Sequence, residues 1–181
     1  MRAICEGVIM LLITSAAMAQ EAPSVDLFGG YSYLHLNTLG LDKGNLNGWN
    51  SVATVNAREW LGVSVDVSGH YGSDVFPGNT LRTFSYLAGP QLTYRGGRAS
   101  AFGRVLFGMA QHHKADSSPG ATFAETQTAF EFAAGAGGDL RIDRRLAIRL
   151  LQIDYLRSQT FGSTQNNLRI SAGLVFRVRE S

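Results

Sequence analysis

From Val25 onward apolar and polar residues alternate with a period of two, and clusters of Gly, Asn, Asp and Ser break the runs. That period belongs to β-strands, whose successive side chains point to opposite faces. The pattern predicts eight strands, at about 24–36, 47–57, 60–71, 82–95, 99–112, 127–142, 146–157 and 166–178. In the first, Val25, Leu27, Gly29, Tyr31 and Tyr33 share one face, and Asp26, Gly30 and Ser32 the other. In the third, Leu61, Val63, Val65, Val67 and Tyr71 lie opposite Ser64, Asp66, Ser68 and His70. The last is the most regular, with Leu168, Ile170, Ala172, Leu174, Phe176 and Val178 opposite Asn167, Arg169, Ser171, Gly173 and Arg177. A helix over 125–142 is disfavoured. Gly135, Gly137 and Gly138 would each cost about 1 kcal/mol there, and Phe130 and Phe132 are spaced by two residues. In the seventh strand Arg149 has the opposite parity to Gln152 and Asp154, which predicts a bulge near Leu150–Leu151.

The connections alternate in length. Short turns are expected at Arg58-Glu59, Gly96-Gly97 and Asp143-Arg144. Long loops are expected at Asn37–Leu46, Gly72–Leu81, His113–Thr126 and Ser158–Gln165. With both termini on one side, every short turn falls on that side and every long loop on the other. This is the layout of transmembrane barrels, whose strands need about 9–11 residues to cross.

Ahead of the strands, Arg2, the apolar run Val8–Ile13 and Ala17-Met18-Ala19 have the layout of a secretory signal peptide. Residues 1–19 are therefore expected to be removed, leaving 20–181 as one barrel domain. The only cysteine, Cys5, would leave with the signal, which excludes a disulfide, a thiol nucleophile and a Cys metal site from the mature chain. No later run of 18 apolar residues predicts a membrane helix. Of the 181 residues, 17% are charged, and the formal net charge of +2 gives no electrostatic footprint for nucleic acid.

Alternation alone fits a soluble barrel as well as a membrane barrel. The polar face decides for the membrane. It is rich in Gly and Ser, and past the signal Lys occurs only at Lys43 and Lys114, both in expected loops. A soluble exterior carries more Lys and Glu. Aromatics gather near the strand ends (Tyr31, Tyr33, Trp49, Trp60, Tyr71, Tyr94, Tyr155), as interfacial girdles do.

The stretches FGGYSYL (28–34), NGWN (47–50), LGVSVDVSGHYG (61–72), LAGPQLTYR (87–95) and GGDLRIDRRLAIRLLQIDYL (137–156) resemble the small OmpA/OmpX-like outer-membrane β-barrel family. The resemblance spans essentially all of the expected mature chain. It implies an all-β, eight-stranded antiparallel up-and-down transmembrane barrel in a Gram-negative outer membrane. It implies no single activity. The peptidoglycan-binding domain that follows the barrel in OmpA is not expected here. Ser171, Gly173, Phe176 and Val178 resemble the C-terminal signal read by the barrel-assembly machinery, although the chain continues with Arg179-Glu180-Ser181 where that family ends on its aromatic or hydrophobic residue.

Candidate chemistry is sparse. Ser68, His70 and Asp74 form the best triad-like set, but Ser and His at i and i+2 lie about 7 Å apart along a strand. There is no G-x-S-x-G elbow. His112 and His113 point to opposite faces, and His35 stands alone, so no metal or other cofactor is expected. The group that stands out is a set of interior charges, Asp66, Arg104, Glu131, Asp139 and Arg169, expected to form a network across the lumen. The expected function is non-enzymatic: a barrel that holds its long loops at the surface to meet lipopolysaccharide, another protein or a host component. A narrow, porin-like ion or solute channel is the alternative. Behind it come a membrane-embedded hydrolase and a soluble barrel that binds an apolar ligand.

Overall fold

A computed structural model describes residues 24–37, 44–76, 79–118, 121–160 and 163–178. The expected signal peptide lies outside them. The eight strands are β1 (Ser24–Asn37), β2 (Gly44–Asn56), β3 (Leu61–Phe76), β4 (Asn79–Gly96), β5 (Ala99–Ser118), β6 (Ala121–Arg141), β7 (Leu146–Thr160) and β8 (Ser163–Val178). Each pairs antiparallel with its sequence neighbours, and β8 closes on β1. Paired positions lead from Leu27 through Ala53, Val65, Ala88, Phe107, Phe132, Arg157 and Asn166 back to β1 at Asn37, ten residues further along. That stagger tilts the strands and sets a lumen just wide enough for side chains to fill.

The apolar stripes face outward. Val65 is 50% exposed on β3, and Val63, Leu92, Phe107, Ile153, Leu174 and Phe176 are likewise on the outer surface. The polar faces point in: Asp66, Arg169, Gln152 and Asp154 have no exposure. A soluble barrel has the opposite arrangement, so the fold is inside-out relative to water. The outer aromatics have polar anchors. The Tyr155 hydroxyl donates to Asn166 Oδ1 at 2.6 Å, and the Tyr31 hydroxyl bonds Asn47 Oδ1, which suits a ring at a membrane–water boundary.

The short turns are where the alternation puts them, at 57–60, 97–98 and 142–145. Gly97 takes a φ of 56°, which a two-residue hairpin loop requires and which glycine adopts without steric cost. The bulge is present as well. β7 changes register between Arg149 and Gln152 against β8, and between Gly138 and Asp139 of β6.

The long loops differ from expectation. Pairing continues to Phe76↔Asn79, Ser118↔Ala121 and Thr160↔Ser163, so most of three expected loops is hairpin. The alternation fades there because, in water, neither face of a strand pair needs to be apolar. The backbone ladder persists without it.

Candidate functional site

The lumen is built in layers. β1 runs from the turn side to the loop side, so its residue numbers give the order. Nearest the turns, Phe28 packs with Val52, Ala147 and Val175. Further out lie Leu34 and Leu36, which cluster with Leu46, Leu87, Leu106, Ala133 and Leu156. Between these apolar groups sit the charges.

Two arginines and two aspartates form a closed quartet with fully buried side chains. Arg169 donates to Asp66 and Asp154 through Nη2, at 2.8 and 2.9 Å. It also donates through Nη1 to Asp66 Oδ1 at 3.0 Å and to Ser68 Oγ at 2.8 Å. Arg104 bridges the same carboxylates, with Nη2 at 2.8 Å from Asp66 Oδ2 and 2.9 Å from Asp154 Oδ2. Asn50 and Gln152 donate to the remaining acceptor capacity of Asp66 and Asp154, at 2.9 and 2.8 Å. Burying four charges is tolerable only with this degree of pairing.

A second pair lies nearer the turns. Arg149 Nε donates to Asp139 Oδ1 at 2.8 Å. Its guanidinium stacks on the Phe102 and Phe28 rings, 4.1 and 4.5 Å from their centroids, a cation–π sandwich. Gln152 Oε1 accepts from Arg149 Nη1 at 2.6 Å and links this pair to the quartet. At the turn-side mouth Asp26 meets Arg95 and Arg177 at 3.4 and 3.5 Å.

The glycines of β6 make the room. A Cβ on Gly135 would lie 2.0 Å from Asp154 Oδ1, and one on Gly137 would lie 2.5 Å from the Phe102 ring. The run GAGG in β6 therefore clears space for an ion pair and a ring.

Of the five interior charges expected to act together, Asp66, Arg104 and Arg169 meet. Asp139 instead pairs with Arg149, and Glu131 joins neither group. Sequence reasoning left out Asp154 and Arg149. The parity of Asp154 is visible in the chain, but nothing in it says that its carboxylate reaches Arg104 on β5, two strands away around the wall. The side chain of Asp74 is outside the described set, and Ser68 and His70 do not bond one another. Ser68 accepts from Arg169, while His70 Nε2 is 2.9 Å from Ser32 Oγ. The other ring nitrogen of His70 has no partner, so no acid orients it. A Ser–His–acid relay needs that third contact. Among the described residues no three His, Cys, Asp or Glu gather as a metal site.

Of the residues resembling an assembly signal, Ser171 and Gly173 face the lumen, and Phe176 and Val178 face out. Gly173 pairs with Gly30 at the seam where β8 closes on β1. A Cβ at Gly173 would lie 2.3 Å from the Gly29 carbonyl oxygen.

The family model for the outer membrane protein beta-barrel domain matches residues 7–177. Several solved structures share the fold. Ail, the attachment invasion locus protein of Yersinia pestis, is 19% identical, with a TM-score of 0.62 over 86% of this chain and 99% of that one. Neisserial surface protein A is 10% identical, with a TM-score of 0.68 over 84% and 96%. OprG of Pseudomonas aeruginosa is 10% identical, with a TM-score of 0.61 over 88% and 98%. A search of curated proteins found no match.

Proposed function

The chain belongs to the outer membrane protein beta-barrel domain family, and on that premise we propose that it is a closed, non-enzymatic scaffold that presents hairpins at the cell surface to bind other molecules. The observation that carries this reading is the overshoot of one hairpin. β5 and β6 pair without interruption out to Ser118↔Ala121. The register between β6 and β7 begins only at Glu131↔Ser158. Among the described residues, 121–130 of β6 therefore pair with β5 alone, and their other edge offers its backbone N–H and C=O groups to a partner. Such an edge accepts an extended segment by strand addition. Loops and hairpins on a rigid wall are where barrel proteins place their contacts.

The filled lumen supports the scaffold over the channel. The charges of its quartet neutralise one another, and apolar side chains lie on both sides of them. A permeating ion would have to break the quartet and cross two apolar layers. Export through a signal at 1–19, contact with outer-membrane lipid and lipopolysaccharide, and assembly through the β8 pattern belong to the same proposal.

Two measurements test it. Purified protein in planar bilayers is expected to give no conductance steps, and steps altered by Arg104→Ala would favour the channel. Intact cells carrying a proline in the β6 edge, at Thr126 or Thr128, are expected to lose surface binding while the barrel keeps its heat-modifiable gel mobility. Unchanged binding in those variants, and after shortening of all four loops, would sink the scaffold reading.

A further inference from the structure

Glu131 is the lumen carboxylate left over after the other charges are paired. The quartet is neutral, with Asp66 and Asp154 against Arg104 and Arg169, and Asp139 is matched by Arg149. Glu131 is 2% exposed, and among the described residues it makes no ion pair. Ser85 hydrogen-bonds its carboxyl, but Oε2 has no partner. Arg169 attracts it while Asp66 repels it, so the quartet's two effects oppose one another.

A second orphan stands beside it. Ser158 is the β7 residue paired with Glu131, it is 1% exposed, and its Oγ also lacks a partner. Two buried oxygens without hydrogen bonds, on residues paired across one ladder, mark a place that something polar fills, because an unsatisfied buried carboxylate is expensive. The position lies at the loop-side end of a seam. Glu131↔Ser158 is the outermost pair of the β6–β7 register. Beyond it β7 pairs with β8 out to Thr160↔Ser163, and β6 with β5. The β6–β7 ladder ends there, so the pair is the last on the loop side of that seam.

We propose that Glu131 and Ser158 form a binding site for one small monovalent cation, of the size of sodium, potassium or ammonium. One carboxylate supplies one compensating charge. Carboxylate and hydroxyl oxygens are hard donors suited to such ions. A divalent ion is not indicated, because no group of three acidic or imidazole ligands surrounds the site among the described residues. The cation takes the place that an arginine holds in the quartet, at the end of the β6–β7 register.

The test uses the full chain refolded in detergent. Thermal midpoints are compared in sodium, potassium and choline chloride at equal ionic strength and pH, and crystals are soaked in thallium(I) for anomalous diffraction. The expected result is a lower midpoint in choline and a thallium peak between Glu131 and Ser158. Both are expected to vanish in Glu131→Gln. Should that variant not fold, Ser158→Ala is expected to need several-fold more potassium for half of the stabilisation. Equal midpoints in the three salts, a thallium peak elsewhere or none, or a dependence on pH without one on cation overturns the proposal. The last outcome would put a proton where the cation is inferred.

Discussion

Arg169 and Asp66 meet through two parallel hydrogen bonds, Nη1 to Oδ1 at 3.0 Å and Nη2 to Oδ2 at 2.8 Å, across 103 positions of sequence. The fork geometry joins β8 to β3 through the lumen, and the same guanidinium also holds Asp154. Removing it would leave two buried carboxylates sharing Arg104. Arg169→Met is expected to lower stability by about 3–5 kcal/mol, the usual cost of breaking a buried pair from one side. Reversible urea unfolding from lipid vesicles, followed by tryptophan fluorescence, checks it. Arg169→Lys keeps the charge and loses the fork, so it is expected to fall between wild type and Arg169→Met.

Glycines of one barrel are not equivalent. Gly135→Ala would drive a methyl group to 2.0 Å from Asp154 Oδ1, whereas nothing lies within 4 Å of a Cβ at Gly103. The first is expected to cost about 1–3 kcal/mol as an overpacked site. The second, on the outer face, is expected to stay within about 0.5 kcal/mol of wild type. Equal losses in the two variants would show that the lumen relaxes around the added group.

The outward direction of the apolar stripe makes a quantitative prediction for Val65, four residues in from the turn-side end of β3 and 50% exposed. Val65→Arg is expected to destabilise the protein in a bilayer by about 2–4 kcal/mol, falling to about 0–1 kcal/mol for arginine near the interface. Leu92, paired with Leu61 at the turn-side end of β3, is the near-interface comparison. If both substitutions were harmless in vesicles, this face would not be the lipid face.

Phe102 holds two roles that one substitution separates from charge. Its ring covers Gly137 and stacks under Arg149. Phe102→Leu keeps most of the apolar bulk and loses the quadrupole, so about 0.5–2 kcal/mol is expected, with Asp139 still paired. Phe102→Ala adds a void and is expected to cost about 3–5 kcal/mol. The pair of unfolding midpoints reads the difference.

Much of the barrel was legible in the chain because one rule, alternation by two, governs every wall residue. Val63 through Val67 announce an outer face without knowledge of any partner strand. The parity break at Arg149 and Gln152 announced the bulge in the same way. The lumen network was less legible, because pairing there depends on which strands face one another across the barrel. Asp139 and Glu131 have the same inward parity and lie on one strand, yet only Asp139 meets an arginine. Register and stagger decide this, and neither is written in local pattern. The length of the outer hairpins was illegible for a different reason. Between Ser118 and Ala121 the backbone pairing continues without any apolar alternation, so the strand leaves no trace in sequence.

The bulge in β7 also bears on how this chain tolerates change in length. Leu150 is the residue passed over when the register moves from Leu151↔Gly138 to Arg149↔Asp139. Removing it would leave Arg149 and Gln152 pointing inward, with a single leucine between them pointing out. Every ladder partner on either side would be kept. Elsewhere in these strands a one-residue deletion turns the following inner face into the outer one. The wall thus has, at Leu150, a position where the reading frame of its faces absorbs the loss of a codon.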